Sequence, residues 1–181
     1  MSPIETDIDT LMGSMDLKDK VGQCLTLNFT GYTITDYEKR FINEFRCGGF
    51  RVTPHISGVN DEYEIRKLAP HVTPAEYTAV LRELQEMAIE RNGIPLHMVT
   101  DQEGDLSVDF LRGGINLFPS NMGMAATNDP ELVQKAFAVI GAQLKAHGIR
   151  WIHSPELDVN IKPKNPEVGM RAFSDDPETC A

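Results

Sequence analysis

Short apolar runs alternate along this chain with capped amphipathic segments, and that alternation restricts the fold more than any other feature. The segment with the clearest ends opens at Thr73-Pro74-Ala75-Glu76 and closes at Asn92-Gly93. Thr73 suits an N-cap, Pro74 the first helical position, and Glu76 the reciprocal half of a capping box. Tyr77, Val80, Leu81, Leu84, Met87, Ala88 and Ile89 give the body an apolar face broad enough to cover a sheet. Gly93 suits the left-handed residue that ends such a helix. The run Pro95-Leu96-His97-Met98-Val99 follows, and its length and polar boundary read as a buried strand. It ends in Thr100-Asp101-Gln102-Glu103-Gly104-Asp105, where acidic residues stand at every second position.

The same pairing recurs on both sides. Ile8, Leu11, Met12 and Met15 predict a short leading helix, and the run 21–29 (Val21 to Phe29) a first strand. Tyr37, Phe41, Ile42 and Phe45 place a helix over 34–46, stopped by Cys47-Gly48-Gly49 and followed by a strand over 50–53. The stretch 54–70 has no period and reads as a long loop. A glycine-rich loop closes at Phe118-Pro119-Ser120-Asn121-Met122. A helix then starts at Asp129-Pro130, carries Leu132, Val133, Ala136, Phe137, Ile140 and Leu144, and ends at His147-Gly148. A fourth strand is expected over 149–153. Four strands alternating with helices imply parallel units with right-handed crossovers. In such sheets ligands bind at the carboxyl ends of the strands, which is where Asp101 falls. Asp176-Pro177-Glu178 repeats the helix opening of Asp129-Pro130-Glu131 just before the sequence stops. We therefore expect one domain over 1–181, the first half of a TIM-like (β/α)8 barrel truncated at its C-terminus, since a whole barrel takes roughly 250 residues.

Composition removes several classes of function. A formal charge of −10 without a Lys/Arg cluster argues against nucleic acid. No apolar stretch approaches the roughly 18 residues that span a bilayer, and no secretory signal is visible, so no membrane partner and a cytoplasmic location are expected. Cys24, Cys47 and Cys180 lack ligand spacing and read as reduced structural thiols. No metal or cofactor is expected: His55 and His71 lie in a loop, His97 and His153 at core or rim positions, and His147 at a helix end where its charge suits the dipole. Gly113 and Gly114 make no dinucleotide fingerprint.

Several motifs together resemble one family. Thr100-Asp101-Gln102-Glu103-Gly104, Phe118-Pro119-Ser120-Asn121-Met122 with Ala125-Ala126-Thr127, Leu157-Asp158-Val159-Asn160, and the segment 165–177 containing Val168-Gly169-Met170-Arg171-Ala172-Phe173 are similar, in order, to the glycoside hydrolase family 3 N-terminal domain. Asp16-Leu17-Lys18-Asp19-Lys20-Val21-Gly22-Gln23 is similar to its opening "EEKVGQ". The resemblance implies a TIM-like barrel and an exo-acting retaining hydrolase of terminal β-linked sugars. N-acetylhexosaminidase is preferred over β-glucosidase or β-xylosidase because segment 165–171 looks more like that branch. It also implies that Asp101 accepts hydrogen bonds from sugar hydroxyls and that Arg171 donates to the sugar, the alternative for each being a salt bridge at the rim. Glu103 and Asp158 are expected to brace loops.

The chain departs from the family pattern after Gly104. Asp109 stands where a basic residue is expected, and Arg112 could supply that charge as a substrate contact or else be a solvated loop residue. The "KHFPGHG" segment and the nucleophilic Asp of the family have no counterpart among these residues, so no catalytic residue is assigned here. The departure leaves a second reading open, a catalytically silent sugar-binding or regulatory relative. On either reading the partners are a carbohydrate and the remainder of the barrel.

Overall fold

Caps that act over three or four residues set most of the helix boundaries. A computed structural model describes residues 8–54, 73–103, 116, 118–162 and 164–181. Helices α1 (Ile8–Ser14) and α2 (Leu17–Gln23) lead into strand β1 (Thr26–Thr30). Helix α3 (Asp36–Asn43) precedes β2 (Gly49–Thr53), and α4 (Pro74–Asn92) precedes β3 (His97–Thr100). Then come α5 (Asn121–Ala125), α6 (Pro130–Ala146), β4 (Trp151–Ile152), a 3-10 turn at Gly169–Arg171, and α7 (Pro177–Cys180). Both Thr35 on α3 and Thr73 on α4 form full capping boxes, with Glu38 and Glu76. Asp129 and Asp176 cap α6 and α7 by accepting from the N–H of Leu132 and Thr179. Gly93 closes α4 in the left-handed conformation, φ 78°.

The larger departures from expectation are at α2, β4 and α5. Val21 to Gln23 belong to α2 and not to the first strand, because Asp16 caps that helix by accepting from Asp19 N–H at 2.7 Å. A local cap here overrides a weak alternation. The fourth strand is shorter than expected because Ile149 N–H is drawn back to the Leu144 carbonyl at the end of α6. Asn121 begins a helix, capped by Ser120, where a loop was expected. The loop expected over 54–70 and the stretch 104–115 lie outside the described residues, apart from Pro54.

The four strands form one parallel sheet in the order β1-β2-β3-β4. The register aligns Asn28 with Arg51, Arg51 with Val99, and Val99 with Trp151. Residues in register share a face, and successive residues alternate between faces. Phe29, Phe50, Val52 and Met98 therefore point one way, into a core with Ile42 of α3, Tyr77, Leu81, Leu84 and Ala88 of α4, and Ile140 and Leu144 of α6. Each Val, Leu, Ile, Phe or Met side chain among them taken fully out of water contributes about 1.5–3 kcal/mol. The other face carries Thr26, Asn28, Arg51, His97, the buried Val99, Asp101, Trp151 and His153. Between β2 and β3, Gly49 is needed for close approach: a methyl group there would lie 2.1 Å from the His97 carbonyl oxygen.

Two substitutions rank these constraints. Thr73→Ala removes one cap and is expected to cost about 1 kcal/mol. Gly49→Ala forces backbone apart inside the sheet and is expected to cost about 1–3 kcal/mol. Urea denaturation of both variants checks the order, and a Gly49→Ala protein as stable as wild type would contradict the sheet geometry.

Candidate functional site

The carboxyl ends of β2, β3 and β4 gather two charge clusters. The first forms on the face opposite the helices. Asp101 follows β3, Arg51 lies inside β2, and His153 follows β4. Arg51 Nη2 donates to Asp101 Oδ2 at 2.6 Å, and His153 Nδ1 bonds Asp101 Oδ1 at 3.1 Å. One carboxylate thus meets groups from the strands on both its sides. The placement follows from the register. Arg51 pairs with Val99, two residues before Asp101, and its long side chain reaches forward along the same face. His153 continues the parallel pairing past β4 by donating its N–H to the Thr100 carbonyl at 3.0 Å.

The second cluster surrounds Arg171. Its Nε donates to Glu103 Oε2 at 2.5 Å and its Nη2 to Glu103 Oε1 at 3.2 Å, a two-pronged contact. Glu167 accepts from Nη1, and a Glu156 oxygen lies 3.7 Å from Nη2. The Glu103 side chain is only 4% exposed, so its charge is satisfied inside the protein and not by water. The hydrogen bond to Glu103 raises the Arg171 pKa above its ordinary value, which keeps the guanidinium charged. The backbone around Arg171 is held as well. Asn121, itself fully buried, donates from Nδ2 to the Arg171 carbonyl at 2.6 Å, and Asn160 N–H donates to the Ser174 carbonyl. The segment after β4 is thereby tied back to the end of β3.

Of the residues singled out in the sequence, Asp101 and Arg171 both lie at the carboxyl end of the sheet, joined through the strand segment 101–103. Each has its own partners, Arg51 and His153 for Asp101, and Glu103 and Glu167 for Arg171. Arg112, like Asp105 and Asp109, lies outside the described residues, as do His55 and His71. Glu103 braces the segment carrying Arg171. Sequence reasoning missed Arg51 and the bond from His153. A signal was present: an arginine in the middle of the apolar run Phe50-Arg51-Val52 has to face away from the helices.

His147 corrects an expectation. In place of a charged group at a helix end, burial holds its imidazole below the ordinary value of 6.5, and Nδ1 bonds Thr78 Oγ1 at 2.7 Å. His97, whose Nε2 bonds Thr26 Oγ1 at 2.6 Å, is lowered by burial in the same way. Among the described residues no three His, Cys, Asp or Glu side chains are grouped so as to hold a metal ion, and no helix is long and apolar enough to cross a membrane. Cavities of about 380 and 490 Å³ lie beside α7, around Ala125 and Phe173, and are not lined by Asp101 or Arg171.

Parallel strand–helix units with charged groups gathered at the carboxyl ends of the strands define an α/β chain. A family model described as "Glycosyl hydrolase family 3 N terminal domain" matches residues 17–181. The chain belongs to that family. It is 26% identical over 180 residues to a lysosomal beta glucosidase of Dictyostelium discoideum, covering 98% of this chain and 21% of that protein. It is 28% identical over 165 residues to beta-hexosaminidase A of Pseudoalteromonas piscicida, covering 87% and 27%. A solved glycoside hydrolase family 3 beta-N-acetylglucosaminidase from Paenibacillus sp. str. FPU-7 matches with a TM-score of 0.78 at 31% identity, covering 92% of this chain and 29% of that one. The chain thus spans only 21% and 27% of the two curated relatives. Its parallel sheet and flanking helices form part of a TIM-like (β/α)8 barrel.

Two measurements probe these clusters. Arg171→Met leaves the Glu103 carboxylate buried without its fork of donors and is expected to cost about 3–5 kcal/mol in urea denaturation. The double variant with Glu103→Leu should regain most of that loss, and a double variant as unstable as the single one would contradict the pairing. The second concerns pH. Because His97 and His147 have folded values below 6.5, the unfolded chain takes up protons first. Their contribution is complete above that value and is lost as pH falls below it. Stability should therefore decline as pH falls below 6.5, and the decline should shrink in a His97→Gln/His147→Asn double variant.

Proposed function

We propose that the chain carries the sugar-positioning groups of an exo-acting, retaining glycoside hydrolase that removes terminal β-linked sugars. Asp101 accepts from the sugar hydroxyls and Arg171 donates to the same ring. The observation that carries this reading is the mounting of Asp101. Its carboxylate stands at the carboxyl end of β3, held by Arg51 on one oxygen and His153 on the other, with its side chain 29% exposed. The exposed part of that ionised carboxylate is a charge-assisted acceptor suited to the hydroxyl donors of a sugar. Arg171 is held at the same rim through Glu103, with 31% of its side chain exposed.

N-acetylhexosamine is preferred over glucose or xylose. Support comes from the segment 165–171 and from the 31% identity with a beta-N-acetylglucosaminidase. The reading gives the residues of this chain the task of holding the sugar and assigns bond cleavage to none of them. A cytoplasmic location belongs to the same proposal and is supported by three free thiols, Cys24, Cys47 and Cys180.

The test is hydrolysis of p-nitrophenyl N-acetyl-β-glucosaminide and of the matching glucoside by the full-length protein. Cleavage of the first in preference to the second is expected. Asp101→Ala should lower kcat/KM about a hundredfold, the loss of two hydrogen bonds to a charged group at about 1.5 kcal/mol each. A protein that cleaves neither glycoside would refute the hydrolase reading and leave the silent sugar-binding one. Undiminished cleavage by Asp101→Ala would remove Asp101 from the site.

A further inference from the structure

The bond between Asp101 and His153 fixes where the imidazole proton sits. An ionised carboxylate accepts and does not donate, so the proton is on Nδ1 of His153. In the neutral ring that tautomer makes Nε2 an acceptor. Nδ1 is turned toward the carboxylate, so Nε2 lies on the edge of the ring away from it. The His153 side chain is 48% exposed, against 29% for Asp101 and 33% for Arg51, and is the most open of the three. Its orientation is held by other contacts too. Trp151 meets the ring edge-on with centroids 5.7 Å apart, and the backbone N–H is fixed to the Thr100 carbonyl. Asp101 and Arg51 are the charged groups beside it, and His97 lies on the far side of Trp151.

We infer that His153 is a third sugar-contacting residue, whose Nε2 accepts a hydrogen bond beside the carboxylate of Asp101. Two acceptors mounted side by side, on β3 and β4, suit two neighbouring hydroxyls of one ring, or a hydroxyl and the N–H of an acetamido group. The inference rests on the reading of Asp101 as sugar-binding and adds a specificity-determining partner to it. Arg51 has the complementary task of occupying the other oxygen of Asp101, which keeps the carboxylate from rotating.

The discriminating variant is His153→Asn in the full-length protein. Asparagine can place an amide N–H where Nδ1 stood and so can still brace Asp101, but it has nothing at the position of Nε2. We expect KM to rise about tenfold with an unchanged unfolding midpoint, the loss of one hydrogen bond. A panel of N-acetylglucosaminides and glucosides, each lacking one hydroxyl or the acetamido group, identifies the contact. One analogue should be penalised in the wild type and not in His153→Asn, because the two changes remove the same bond. Wild-type KM in His153→Asn, or identical penalties in both proteins, would reduce His153 to a brace and overturn the inference while leaving Asp101 in place. If Asp101→Ala retains full hydrolysis, or if the wild type neither cleaves these sugars nor binds them by calorimetry, the reading of Asp101 fails and this one with it.

Discussion

The two-sidedness of the parallel sheet is the constraint from which the other features follow. Strands in βαβ units are often apolar on both faces. Here the faces differ: Leu27 and Phe29, Phe50 and Val52, and Met98 turn toward the helices, while Asn28, Arg51, His97 and Asp101 turn away, with Val99 the buried apolar residue among them. The first set supplies the cohesion, by removing aromatic and aliphatic surface from water. The second set has to satisfy its polar groups among themselves, and it does so across strands, through the Thr26–His97 and Arg51–Asp101–His153 bonds. A slip of one residue in β2 would send Arg51 into the helix layer and Phe50 out of it, so register protects the core and the site together.

Glu103 imposes a second requirement. A carboxylate that is nearly inaccessible to water must find a cation with matching geometry, and the planar fork of Arg171 meets it from 68 residues further along the chain. That pairing, with Asn121 holding the Arg171 carbonyl, converts an irregular segment after β4 into a fixed part of the rim. Asp101 and Glu103 thus act differently although they are two residues apart. One presents its charge at the surface between two supports, and the other spends its charge in holding a neighbouring segment. The charged groups at these strand ends are thereby held in place by bonds within the protein.

Much of the architecture was legible in the linear chain because its causes act over short distances. A Thr or Asp followed by Pro and an acidic residue marks a helix start through bonds spanning three positions, as at Thr73, Asp129 and Asp176. Gly93 marks a helix end through its own backbone conformation. The alternating parallel strands followed from these signals. Where two local tendencies competed, as at Val21 to Gln23, pattern alone chose wrongly, because the cap from Asp16 was the stronger force. The glycines at 48 and 49 looked like helix terminators, whereas Gly49 is there because the His97 carbonyl passes too close for a side chain.

By itself, then, the sequence determined the fold class, the starts of the capped helices at Thr73, Asp129 and Asp176, and the motifs that single out Asp101 and Arg171, since each depends on residue type and near-neighbour spacing. Only the tertiary structure decided what those two side chains bond to. Arg51 and His153 reach Asp101 from 50 and 52 residues away in opposite directions along the chain, and Glu103 reaches Arg171 across 68. Such pairings are created by strand register and by the desolvation of one carboxylate, and neither exists until the sheet has formed.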